Sequence, residues 1–154
     1  MASDGLTGRV ATAADYDKLE PLFRANCQKM QYEWPKYEFA AKHILAHPEY
    51  GFVIMAEQAD GSAAGFISLT FEWSDWRNGV FLWMQGLQAD ANCDEATVIG
   101  TLKAALEVKR STLDWQVVGI RLCSPKVLQG EVQQAITAFD LKPSHYYVYH
   151  VDTA

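Results

Sequence analysis

The chain has no CxxC pair, no run of basic residues, no Gly-rich phosphate fingerprint, and no apolar stretch of the roughly 18 residues that a membrane span needs. Each absence removes a class of protein. Three cysteines, Cys27, Cys93 and Cys123, stand far apart and in odd number. They make no disulfide framework, so reduced thiols and a cytoplasmic location are expected. A net charge of −6 without a Lys/Arg cluster argues against nucleic acid bound through the surface as a whole. The opening MASDGLTG is polar, so neither a signal peptide nor any membrane association is expected. His43 and His47 stand four apart with no third ligand near them in sequence, so no metal site is expected. No Ser/His/Asp arrangement is visible.

What is present is an ordinary globular composition, 154 residues with 49% apolar and 21% charged. That suits one domain with one core spanning 1–154, residues 1–7 reading as a loose tail. GRVA at 8–11 has strand character. Thr12 and Asp15 both offer a helix start, and Tyr16, Leu19, Leu22, Phe23 and Cys27 follow at helical spacing to about Met30. A second helix is predicted from Pro35 to His47, where Pro48 stops it. From Gly51 the period becomes that of strands: GFVIMAEQ, a turn at Asp60-Gly61, AAGFISLTFEW at 63–73, a turn at Asn78-Gly79, and VFLWMQGLQA at 80–89. A helix over 94–113 has acid at its start and Lys109 and Arg110 at its end, which suits the helix dipole. WQVVGIRLC at 115–123 reads as a strand, 127–139 as a helix and HYYVYHV at 145–151 as a final strand. The order βααβββαβαβ predicts an α/β domain whose mixed central sheet has about six strands, with four helices.

This order resembles the GNAT superfamily, the acyl-CoA-dependent N-acetyltransferases, over roughly 9–151. GRVATAADYDKL resembles the family's opening strand and helix, AAGFISL its third strand and GIRL its fifth. TFEWSDWRNGVFLWMQ at 70–85 is similar to the central hairpin of a bacterial subgroup that reads T-[FY]-E-W-S-D-W-R-N-G and ends in W-x-Q. The resemblance implies acetyl-CoA as acyl donor and a small-molecule amine as acceptor. It implies that strand backbone at Leu87, Gln88 and Ala89 holds the thioester end, and that the helix start at Thr97 and Val98 holds the diphosphate. A homodimer is compatible with it.

The chain departs from the subgroup in two places. Aligned without a gap from Gln85, Asp94 and Glu95 fall on the two arginines of the phosphate loop, and Thr97 falls on its Gly. A carboxylate about 5 Å from a phosphate charge costs roughly 1 kcal/mol even in water, and more in a cleft. Every 1.4 kcal/mol or so is tenfold in affinity. Read without the family, acids in a helix's first turn are ordinary capping chemistry. The second departure is the general-acid Tyr that the family carries in its last helix. No Tyr lies between Trp115 and His145, and a positioned acid is worth roughly 10²–10⁴ in rate.

On the acceptor side, Glu72 is the candidate general base, or else a solvated strand residue. Asp75 and Arg77 form a loop ion pair or touch a polar acceptor. Trp73, Trp76 and Trp83 either build a cage for an amine or pack in the core or at a dimer contact. Gln85 orients the acceptor or satisfies the strand end. Two functions follow: an N-acetyltransferase with a weakened CoA site, or a non-catalytic ligand-binding or regulatory module on the same fold.

Overall fold

The computed structural model describes residues 5–124, 128–146 and 148–153. Alternating apolar residues along the central segments build an antiparallel meander: β1 (Thr7–Val10), β2 (Gly51–Glu57), β3 (Ala63–Ser74) and β4 (Gly79–Ala89). β5 (Val117–Leu122) joins β4 in parallel after the crossover helix α3 (Glu95–Ser111), giving one sheet in the order β1-β2-β3-β4-β5. The other helices are α1 (Tyr16–Lys29), α2 (Trp34–Ala46) and α4 (Gln129–Ala138). Among the described residues no helix is long and apolar enough to cross a membrane.

The period-2 pattern sorts the sheet's two faces. Ile54, Ile67, Leu69 and Leu82 meet Val98, Leu102 and Leu106 of α3. Val53, Met55 and Phe66 meet Leu19, Leu22 and Phe23 of α1 and Leu45 of α2. Each such side chain contributes roughly 1.5–3 kcal/mol when fully buried. Gly65 permits the close approach of α3, because a Cβ there would collide with Val98 and the Gln88 carbonyl.

Both helix-start signals are used. Thr12 caps a 3-10 turn over Ala13–Asp15 with a capping box, and α1 continues from Tyr16. The buried Asp15 carboxylate accepts from Arg9 and from the Thr12 backbone, and Arg9 also pairs with Glu57 on β2. The hydrogen bonds from Arg9 hold the Asp15 carboxyl well below the usual carboxylate range.

Two boundaries differ from the sequence reading. β1 begins at Thr7 and Leu6 packs against the core, so residues 6 and 7 are not tail. Residues 145, 146 and 148–151 are not in a strand, and Tyr146, Val148, Tyr149 and Val151 are all exposed. The sheet of described residues has five strands, close to the expected number of about six. Alternation qualifies a segment for a strand, but an edge partner in register decides it. Tyr147 of that segment and Val127, the predicted start of α4, lie outside the described residues.

Candidate functional site

The centre of the site is a fault in the sheet. Ser68 pairs with Gly86 and Leu69 with Met84, leaving Gln85 as an extra residue on β4, a β-bulge. β5 stays in register with β4 only as far as Met84↔Leu122. Beyond that the strands part, and Gln85 to Ala89 run on without a β5 neighbour. The gap is a cleft of about 50 Å³ between Gly86 and Leu87 on one side and Leu122 and Cys123 on the other. α1 supplies Lys29 to it and α4 supplies Glu131. Gly86 keeps the bulge open to α1, since a Cβ there would press on Asn26, Phe66 and Ser68.

Lys29 crosses this cleft and donates from Nζ to the Leu87 carbonyl at 2.8 Å. The N–H and C=O of one strand residue project to the same side, so the Leu87 N–H also faces the cleft. Burial lowers the Lys29 ammonium from its usual value, opposed by the charges of Glu131 and Glu95.

Tyr32 reaches the same cleft from the α1–α2 connection. α1 ends in a Schellman motif: the Tyr32 N–H donates to the Cys27 carbonyl and the Gln31 N–H to that of Gln28, with Gln31 at φ 59°. A glutamine in this left-handed conformation is costly; here it directs the chain so that Tyr32 stands over the sheet. Burial, then the thiols of Cys123 and Cys27, push the Tyr32 phenol up.

Beside the cleft lies a larger cavity of about 500 Å³ under α2. Half of its lining is aromatic, including Phe23, Tyr37, Phe39, His43 and Tyr50, and its polar groups include Ser68 and Thr70 of β3. Tyr32 and Gln85 line both cavities. Gln85 Nε2 donates to Thr70 Oγ1 at 2.9 Å. Asn26 Nδ2 donates to the Tyr37 hydroxyl at 2.9 Å, and burial raises the Tyr37 phenol to about 12.

The hairpin residues predicted from sequence are dispersed. Glu72 shares the α1/α2 face of β3 with Ser68 and Thr70, and its Oε1 accepts from Arg121 Nη1 at 3.1 Å. The Arg121 guanidinium lies 3.5 Å from the Phe81 ring and 5.6 Å from that of Trp83. Trp83 is half-buried, its Nε1 buried without a hydrogen-bond partner among the described residues. Trp73 points to the opposite face by strand parity, and Trp76 is 85% exposed in the turn. The three tryptophans do not meet. Asp75 accepts from the Trp76 N–H, while Arg77 lies over Phe81 at 5.4 Å. His43 and His47 stack at 4.0 Å, and no three His, Cys, Asp or Glu among the described residues group as metal ligands.

At the start of α3, Asp94 is the N-cap. Its Oδ2 accepts from the Thr97 N–H at 2.9 Å and from Thr97 Oγ1 at 2.6 Å. Those hydrogen bonds, the hydroxyl's first, lower the Asp94 carboxyl. Thr97 therefore spends its hydrogen-bond donors on the chain's own carboxylate. Val98 is fully buried in the core and its N–H closes the first helical turn onto the Asp94 carbonyl. Gln88 donates to the Ala89 carbonyl while its Oε1 is buried without a partner among the described residues.

Sequence reasoning missed Lys29, Tyr32, Tyr37 and Tyr50, and weighed His43 only as a metal-ligand pair with His47. The only local signal was the aromatic density of 32–50.

No family model and no curated protein matches the chain. Solved structures match its fold along nearly its whole length. A possible acetyltransferase from Clostridium difficile 630 is 20% identical, covers 98% of this chain and 99% of its own, and superposes with a TM-score of 0.78. A GNAT family acetyltransferase from Staphylococcus aureus subsp. aureus USA300_TCH1516 is 12% identical over 96% and 99%, TM-score 0.66. The aminoglycoside N-acetyltransferase AAC(6')-Iy, solved with CoA, is 12% identical over 97% and 95%, TM-score 0.72. The class that these likenesses define is the GNAT-like fold. At such identities they establish the architecture alone.

Proposed function

We propose that this chain is an acetyl-CoA-dependent N-acetyltransferase for a small amine, with a CoA site weakened at the diphosphate. One observation carries the reading: the cleft between the parting strands and the larger cavity meet at the β4 bulge, where Tyr32 and Gln85 line both. A two-substrate transfer needs such a junction, with donor and acceptor held together in near-attack geometry. That a structural neighbour is an aminoglycoside acetyltransferase solved with CoA supports the same division of labour.

The thioester end fits the residues present. The Leu87 N–H and C=O face the cleft and are free to bind once Lys29 withdraws. The diphosphate end fits poorly, because Asp94 caps the helix start and Glu95 adds a second negative charge. Acetyl-CoA supplies an activated acetyl group. The amine nitrogen bonds to its carbonyl carbon, the C–S bond breaks, and the sulfur leaves with the electron pair. The Leu87 N–H donates to the developing oxyanion, and Gln85 orients the amine. Arg121 holds Glu72 Oε1, so Oε2 takes the amine proton through water. The Tyr32 phenol, protonated at neutral pH like any tyrosine, gives a proton to the sulfur. It takes the role left empty in α4.

A second reading, a non-catalytic binding module, draws on Lys29 at Leu87 and Asp94 at Thr97. Both groups stand where the donor would bind.

Calorimetry with acetyl-CoA and a thiol-release assay with Glu72→Gln separate the two. We expect weak binding, and a rate loss of about 10²–10⁴ in the variant with binding unchanged. No binding at millimolar acetyl-CoA would overturn the enzyme reading.

A further inference from the structure

We propose that the cavity under α2 takes an aromatic monoamine, a flat apolar body carrying a single amine, in preference to a polycation. This rests on reading the adjoining cleft as the donor site. The volume of about 500 Å³ is that of a small-molecule site.

Its chemistry is one-sided. Two sets of near-parallel rings line it. Tyr32 and Tyr37 stack at 5.6 Å and 21°. The His43 ring stacks on Phe39 at 5.8 Å and on Tyr50 at 5.6 Å, both at 20°. A planar ligand extends such stacks at offset-stacking distances. Among the described residues no Asp or Glu lines the cavity. Glu72, further along the same face, is already neutralised by Arg121. A polycation entering here would lose hydration at each ammonium and meet no carboxylate. The Tyr37 phenol, held at about 12 by burial, adds no negative charge.

The polar groups sit at one end. Ser68 and Thr70 offer hydroxyls, and Gln85 spends Nε2 on Thr70, which leaves Oε1 to accept from an amine N–H. That end is also the one adjoining the cleft, so an amine anchored there faces the acyl donor. Of the rings that line it, Tyr32, Phe39 and Tyr50 remain 45%, 72% and 55% exposed. Exposed aromatics gathered around one cavity mark a binding surface more than scattered ones do.

Binding is measured by calorimetry on the full chain with tryptamine, 2-phenylethylamine and spermidine, without CoA, and transfer is then assayed with acetyl-CoA. We expect both aryl amines to bind more tightly than spermidine. Ala40→Trp fills the cavity from an exposed position on α2. It should weaken tryptamine by about tenfold or more, roughly 1.4 kcal/mol, with an unchanged melting temperature. Phe39→Ala should weaken it about 2–10-fold through the lost stack. Spermidine binding more tightly than either aryl amine overturns the proposal, as does an unchanged affinity in Ala40→Trp. Tryptamine bound but never acetylated leaves this proposal standing and sinks the acetyltransferase reading. Spermidine acetylated while no aryl amine binds does the reverse.

Discussion

Lys29 concentrates the site's ambiguity in one side chain. Its hydrogen bond to the Leu87 carbonyl is charge-assisted, a class worth about 1.5–3 kcal/mol, and acetyl-CoA must displace it. Lys29→Met keeps the stem and removes the ammonium. It should tighten acetyl-CoA by about tenfold, a conversion of roughly 1.4 kcal/mol, as read by calorimetry; weaker binding would make Lys29 a ligand of the donor and not its competitor. Asp15 is a purely structural residue with its own test. Its folded carboxyl is held below the ordinary value by Arg9. The stability it contributes is therefore complete above the unfolded carboxyl's value and lost as pH falls toward the folded one. Asp15→Asn should cost about 1.5–3 kcal/mol at neutral pH and flatten the loss of stability below about pH 5, measured by denaturant titration across the acid range. Single residues of this kind were hard to read from sequence. Glu72 and Gln85 stood out because a recognisable hairpin surrounds them, whereas Lys29 is one of many helix-end lysines until α1 is laid across β4.

At the scale of elements, the start of α3 and the end of α1 carry opposite lessons. Asp94, Glu95 and Thr97 were legible as a helix start, and the structure shows what that costs a ligand: the cap already occupies the Thr97 N–H. Charge and capping are separable. Asp94→Ala should cost about 1 kcal/mol of stability, Asp94→Ser should keep most of it, and Glu95→Arg should cost about 0.3–1 kcal/mol against the helix dipole while strengthening CoA binding. Thermal unfolding and calorimetry on the three variants decide this; equal CoA affinity in Glu95→Arg and wild type would remove the charge from the account. The end of α1 gave little warning, since neither Gly nor Asn marks its left-handed residue. Gln31→Gly should raise stability by about 0.5–1 kcal/mol, the relief of left-handed strain less the entropy of glycine. A melting temperature below wild type would show that the Gln31 side chain itself holds the turn. The described residues within 145–151, which lie outside the sheet, belong to the same scale. Their alternation is real, but alternation does not supply a partner edge.

The whole molecule carries a net charge of −6, with Asp94 and Glu95 at the helix that would face a diphosphate. Salt should therefore strengthen acetyl-CoA binding by screening repulsion, against the usual trend for a polyanionic ligand, and Glu95→Arg should weaken or invert that slope. Binding that falls with salt in the wild type would mean that cations not placed here hold the phosphates. The order of elements as far as α4, the two faces of the sheet and the acidic helix start follow from sequence alone, because periodicity, turn residues and caps act within a few positions of each other. Only the tertiary structure decided where the site lies. A single extra residue at Gln85 lets β4 and β5 part, and the end of α1 with the connection after it, more than fifty positions earlier in the chain, brings Lys29 and Tyr32 to the opening. Such convergence depends on packing between distant segments, and no local pattern encodes it.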